Sequence, residues 1–304
     1  MNCAIIGSTK IAEVHAEQLL KNGVKEITFI SRSKKKREQI ILRVRKKASK
    51  EAFLFHSNIN ILKKNFFNII CICSNTEVHD NHLKYVSKLK SIIIVEKPII
   101  SLIKYKYKYR DFLISIYKKN KKIIVCYPYL FLANSFKKFF NKINKIKKIN
   151  FEFQTGGTAK FKKICVNLMP HALTFFHIFL KKNFLKKKMK IEDLLVEKNK
   201  WKCKFSIDKI SINLIFKENF KKKTYLKLKI DNRILIRKTK KIKKLFINYI
   251  EDNKTKRKKN INNPMEEFYA NFFKNIKNVK YYNENKNITL DIMKKNSFFL
   301  NYFS

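Results

Sequence analysis

Over the first 127 residues, short unbroken apolar runs alternate with amphipathic stretches of helical length, and no other feature limits the fold as tightly. Asn2–Ile6, Glu26–Ile30, Ala52–Phe55, Phe67–Cys73, Ser91–Val95 and Lys122–Tyr127 read as strands. Ile11–Leu20, Ser33 to about Ala48, His79–Leu89 and Leu102–Tyr117 read as helices between them, the first closed by Asn22-Gly23. Runs without polar alternation belong to strands covered on both faces. Helical connections of this length join parallel strands through right-handed crossovers.

The pattern changes near residue 127. Phe131–Ile143 and Val166–Leu180 read as helices, and Lys148–Gln154 as a strand. From about 190 to 249, the β-like runs Phe205–Phe216, Thr224–Ile230 and Arg233–Arg237 follow one another with little helix between them. That succession implies an open, mostly antiparallel sheet. Lys254–Asn260 reads as a polar basic loop. Asn263-Pro264-Met265-Glu266 starts a helix, with Asn263 as cap, Pro264 at the first helical position and Glu266 completing a capping box. A last helix covers about Thr289–Leu300. The fold class expected is α/β over residues 1–126, followed by an α+β domain over 127–304.

Charge is the next constraint on function. Lys+Arg total 71 against 22 Asp+Glu, a formal charge of +49. Only 8 of the basic residues are Arg, which leaves 63 Lys, and Gly and Pro number 4 each. Lys, Asn, Ile and Phe have A/T-rich codons, so coding bias accounts for the charge better than selection for nucleic acid does, since base and phosphate recognition favours Arg. No specific nucleic-acid partner is expected. No apolar run approaches the ~18 residues of a membrane span. The start of the chain lacks a signal-peptide pattern, so the expectation is a soluble cytoplasmic protein without a membrane partner. The six cysteines lie mostly in apolar runs with no paired CxxC, so buried thiols are expected and no metal site.

Three segments carry chemistry. Gly7-Ser8-Thr9-Lys10-Ile11-Ala12 joins the first strand to the first helix, where a dinucleotide fold needs a tight turn and close backbone approach to a pyrophosphate. Gly7 and Ala12 suit the first and third positions of that turn. Thr9 stands where glycine is usual; its Cβ hinders approach, but its hydroxyl and that of Ser8 can donate to phosphate. Ser31-Arg32-Ser33 ends the second strand with no acidic residue for a ribose 2′-OH, a pairing that suits a 2′-phosphate and favours NADP over NAD. Ser74-Asn75-Thr76-Glu77-Val78-His79 and Glu96-Lys97-Pro98 each follow a buried strand, and so project from the ligand-binding edge of the sheet.

Together, Gly7-x-x-x-Ile11-Ala12-x-x-His15, Ser74-Asn75-x-x-x-His79 and Glu96-Lys97-Pro98 resemble the glucose-fructose oxidoreductase/inositol dehydrogenase (Gfo/Idh/MocA) family. The resemblance implies a Rossmann domain and a nicotinamide cofactor. By it, Ser74 and Asn75 line the cofactor, Glu96 lies next to it, and Lys97 sits between nicotinamide and substrate. The family's second segment carries an Asp four residues before a His, and here Asn167-Leu168-Met169-Pro170-His171 takes its place. His171 matches the proton donor and acceptor. Asn167 can orient a group but cannot raise the His pKa by charge. His177 falls on another face and reads as structural. Leu130 replaces an Arg that many members carry.

The reading is an NAD(P)-dependent oxidoreductase acting on CH-OH/C=O groups. Its catalytic residues are Lys97, His171 and Asn167. Its cofactor residues are Gly7, Ser8, Thr9, Ile11, Ala12, Ser31, Arg32, Ser74, Asn75, His79, Glu96 and Lys97. The resemblance further implies a polyhydroxylated, sugar-like or cyclitol-like substrate and a homo-oligomer formed through the C-terminal sheet. The alternative is a non-catalytic or decayed cofactor-binding protein on the same fold, marked by Thr9, Leu130 and Asn167.

Overall fold

The computed structural model describes all residues except 48–51, 106–107, 141–144, 181–186, 220, 222–223, 243–244 and 303–304, and omits the side chains of 240–246. The helix ends expected at Ala48 and Ile143 therefore lie outside the described residues.

Six strands form a parallel sheet: β1 (Asn2–Ile6), β2 (Glu26–Ile30), β3 (Phe53–Ser57), β4 (Ile69–Ile72), β5 (Ile92–Glu96) and β6 (Ile123–Cys126). Their order is β3-β2-β1-β4-β5-β6. This is the order of the dinucleotide-binding Rossmann sheet, and it reverses direction between β1 and β4. Every residue of β4 and β6 is buried, as their unalternated apolar runs require. Edge strand β3 instead leaves Phe53 and Phe55 exposed. The connections contain α1 (Lys10–Lys21), α2 (Lys34–Arg45), α3 (Ile61–Lys64), α4 (His79–Val86), α5 (Leu102–Tyr105) and α6 (Tyr109–Lys119). The short α3 was not legible; one turn of helix has too few residues to show a period.

The chain divides into two compact units, Met1–Tyr127 with Met265–Leu290, and Pro128–Pro264 with Asp291–Ser304. Thus most of α9 (Pro264–Lys274) and the first part of α10 (Val279–Asn301) pack with the Rossmann sheet, whereas the sequence reading drew one boundary at 126. The packing is specific. β6 is an edge strand, and Asn285 of α10 binds its backbone twice: Val125 N–H donates to Asn285 Oδ1 at 2.8 Å, and Asn285 Nδ2 donates to Val125 O at 3.0 Å.

The second unit holds β7 (Lys148–Thr155), β8 (Lys190–Glu197), β9 (Lys200–Ile207), β10 (Ile210–Glu218), β11 (Tyr225–Ile230), β12 (Arg233–Ile242), β13 (Leu245–Asp252) and β14 (Lys258–Ile261). They form one sheet in the order β14-β13-β12-β11-β7-β10-β9-β8. Every neighbouring pair is antiparallel except β7 with β10. Helices α7 (Tyr129–Phe140) and α8 (Lys162–Phe179) cover one face, where Phe175 and Phe176 meet Phe151. The expected strand Phe205–Phe216 is broken at Asp208, which takes φ +51° and turns β9 into β10 without a glycine. Lys254–Asn260 was read as loop, but Lys258–Ile261 pairs with β13 as an edge strand. Lysines are tolerated there because an edge faces water. The last helix begins at Val279, ten residues before the expected start.

Replacing Asn285 with Leu strands a buried N–H and C=O of β6. Chemical denaturation should show a loss of about 2–6 kcal/mol, from roughly 1–3 kcal/mol for each of the two unpaired groups.

Candidate active site

The crevice at the ends of β1 and β4 is set by backbone contact. Gly7 has φ +132°, and a Cβ there would lie 2.7 Å from the carbonyl carbon and oxygen of Cys73. Both the conformation and the space exclude a side chain. Gly7 N donates to Ile30 O and Cys73 N to Ile6 O, each at 2.8 Å, so the ends of β1, β2 and β4 are tied together. The twelve-residue helix α1 starts beside this contact, with Ala12 fully buried where helix meets strand and Ile11 half-buried. A glycine cradle, an adjoining helix N-terminus and the switch point of the sheet fit a dinucleotide pyrophosphate. Thr9 departs from the expectation in one respect: its hydroxyl donates to Cys73 O at 3.1 Å rather than pointing free into the turn.

Ser8 and Ser31 bring their hydroxyl oxygens within 3.4 Å of each other across β1 and β2. Arg32 is exposed beside them. Arg37, which the sequence reading passed over, donates from Nη1 to Ser31 O and, at 3.4 Å, to Arg32 O, and so fixes this turn. On the other side of the crevice, Ser74 Oγ meets His82 Nδ1 at 2.9 Å, and Asn75 is exposed. His79 is buried between two backbone carbonyls, Ser74 O at 2.8 Å from Nε2 and Pro98 O at 3.0 Å from Nδ1. Its ring therefore joins the turn after β4 to the turn after β5. Burial pushes its pKa down and outweighs the two carbonyls.

Glu96 ends β5, Lys97 follows it directly, and the Lys97–Pro98 peptide is cis. Lys97 is half-buried. Behind it Glu96 accepts from His15 Nε2 at 2.8 Å, and His15 Nδ1 meets the Tyr269 hydroxyl at 2.5 Å. His15 is fully buried, and Glu96 nearly so. Burial alone would raise the Glu96 pKa, but the His15 hydrogen bond and the charges of His15 and Lys97 hold it below the ordinary value. Burial alone would lower His15, yet Cys73, Tyr269 and Cys71 around it hold it well above 6.5. His15, Glu96 and Cys126 bring one ligand-type atom each within 4.8 Å of one another. Both imidazole nitrogens are already hydrogen-bonded, so the arrangement is a closed polar cluster. Sequence reasoning quoted His15 only as part of a pattern, and 254 positions separate it from Tyr269.

In the second unit, His171 is buried in α8, its ring 4.0 Å from that of Tyr129 and 5.3 Å from that of Phe153. Asn167 is half-buried one turn earlier. Pro170 lies inside the helix between them and removes the N–H that would bond Val166 O. Asn296 Nδ2 donates to that carbonyl instead, at 3.3 Å. The Gly156-Gly157 turn lies against buried Glu218; a Cβ on Gly157 would come within 2.4 Å of Glu218 Oε2. Leu130 is half-buried at the start of α7. A cation the sequence reading missed does approach: Arg237 Nη1 donates to the Tyr129 hydroxyl at 3.5 Å.

Residues 1–127 match the family model described as oxidoreductase family, NAD-binding Rossmann fold. That family is Gfo/Idh/MocA, the one that the motifs of these residues resemble. No curated protein sequence matches the chain. Among solved structures, a dehydrogenase from Clostridium difficile is similar with a TM-score of 0.68 at 17% identity, over 97% of this chain and 98% of that one. A 3-ketoreductase from Actinomadura kijaniata, crystallised with NADP, gives 0.70 at 9% identity over 96% and 94%. A UDP-N-acetylglucosamine 3-dehydrogenase from Acidithiobacillus ferrooxidans gives 0.64 at 10% identity over 97% and 96%. At these identities the likeness is one of fold, and it runs over nearly the whole chain. No described helix is long and apolar enough to cross a membrane.

His15→Ala should leave Glu96 buried without its partner and lower stability by roughly 3 kcal/mol. Glu96, held low, contributes above the ordinary carboxylate value and loses that contribution as pH falls. His15, held high, contributes fully below 6.5 and loses that contribution as pH rises through its raised value. The gap between wild-type and variant melting temperatures should be widest at roughly pH 4.5 to 6.5.

Proposed function

We propose that the protein is an NADP-preferring oxidoreductase acting on a hydroxyl or carbonyl carbon of a polyhydroxylated small molecule. The observation that carries this reading is the placement of Lys97 at the carboxyl end of β5, half-buried, with Glu96 behind it locked to His15. The family match of residues 1–127 supports the cofactor class, and the sugar-modifying enzymes of like fold support the substrate class.

Gly7, Ser8, Thr9, Ile11 and Ala12 would hold the pyrophosphate, with Ser74, Asn75 and Glu96 along the nicotinamide side. His79 acts by joining the two turns that carry Ser74 and Lys97. Ser31 and Arg32 would hold the 2′-phosphate. The bound nicotinamide supplies a hydride acceptor or donor. Lys97 holds and polarises the reacting oxygen, as an ammonium does for a developing alkoxide. His171 exchanges the proton, and Asn167 orients the substrate or the imidazole. All six cysteines are unpaired thiols, which supports a reducing, cytoplasmic setting. The face of the second sheet opposite α7 and α8 is the surface we assign to a homo-oligomer.

NADPH fluorescence, titrated at about physiological ionic strength with a non-nucleotide polyphosphate as competitor, tests the cofactor reading. Saturable binding that polyphosphate cannot displace is expected, and its absence overturns the reading in favour of a non-catalytic protein. Lys97→Ala should lower turnover by roughly a thousandfold or more while sparing NADPH affinity. Arg32→Asp should move preference toward NADH; an unchanged ratio of the two affinities rejects the 2′-phosphate assignment.

A further inference from the structure

One row of residues crosses the second sheet in register on the face that α7 and α8 cover: Ile250, Arg237, Leu226, Phe153, Phe216 and Trp201. Five of the six are apolar and buried, and the sixth is an arginine. Its neighbour on the same strand and face shows how this fold normally treats such a group. Arg233 pairs with Asp252 at 2.7 Å and also donates to the carbonyls of Phe139 and Phe140. Arg237 has no carboxylate partner among the described residues. It reaches Tyr129 Oη at 3.5 Å and Asn248 Oδ1 at 3.2 Å, and its buried Nε has no acceptor among the described residues. A guanidinium in an apolar row without a counter-charge costs stability, and an apolar side chain would fill the place better. The fold therefore does not explain it.

Its surroundings do. Tyr129, which Arg237 touches, lies against His171 with ring centroids 4.0 Å apart and planes tilted by 45°, and Phe153, from the same row, meets His171 edge-on. An unneutralised planar fork, joined to that histidine through Tyr129, suits two oxygens of a carboxylate or phosphate. We propose that Arg237 binds an anionic group on the substrate, so that the substrate is a sugar acid or a phosphorylated sugar rather than a neutral polyol. The proposal rests on the oxidoreductase reading for the word substrate, but the anion site stands on its own geometry.

The test uses glucose 6-phosphate, glucuronate and glucose as probes, with binding followed by calorimetry at about 150 mM salt. It compares wild type, Arg237→Met and the exposed-surface variant Lys209→Met. At least one anionic probe should bind wild type more tightly than glucose does. That probe should lose roughly ten- to hundredfold in Arg237→Met and nothing in Lys209→Met. Which anion binds separates phosphate from carboxylate. Arg237→Met should also melt at or above the wild-type temperature, because Met suits the apolar row. Equal anion binding in all three proteins would reduce the effect to the general positive charge and overturn the proposal. Anionic probes that bind wild type no better than glucose would also overturn it, and so would a lowered melting temperature in Arg237→Met. Arg237-dependent anion binding in a protein that binds no NADPH would keep this site and sink the oxidoreductase reading.

Discussion

The close approach of Gly7 to the Cys73 carbonyl governs the first unit. Two strand ends meet with no room for a side chain between them, and their hydrogen bonds to Ile30 and Ile6 draw β2 into the same junction. Every loop that carries proposed chemistry leaves from this edge: the turn into α1, the Ser31-Arg32 turn, the Ser74-Asn75 turn and Lys97. The edge is polar where it opens and apolar below, and so the buried strands can be uniformly hydrophobic while the loops vary.

Below the edge the protein uses its few buried ionisable groups economically. Glu96 and His15 satisfy each other, Tyr269 takes the second imidazole nitrogen, and His79 spans two backbone carbonyls. A chain of charge +49 has ample cations at its surface, where water screens them. Among the cations that the fold holds in place, three arginines differ in their partners. Arg37 shapes a turn, Arg233 is neutralised, and Arg237 has no carboxylate partner among the described residues.

The parallel sheet was legible because strands buried on both faces leave unalternated runs, and because glycine and proline are so scarce that Gly7 and Pro98 mark turns clearly. The Glu96-Lys97-Pro98 turn was legible for the same reason. The second sheet was harder. β9 and β10 turn on Asp208 and Lys209, which carry no glycine signal, and edge strand β14 is as basic as any loop here. Tyr269 and Asn285 could not be assigned from sequence, since their partners lie 254 and 160 residues away. Arg237 was hidden by composition: one more cation in a lysine-rich chain stands out only once strand register puts it in a row of buried apolar residues.

The return of Met265–Leu290 to the Rossmann sheet has a consequence for how the protein is made. During synthesis the six strands leave the ribosome long before α9 and the start of α10. Until then β6 presents a bare edge at Val125, and His15 lacks its phenolic partner. A bare strand edge is a template for another chain. The nascent protein thus passes through a sticky stage lasting for much of its own translation, and the segment Met265–Leu290 acts as the stopper that ends it.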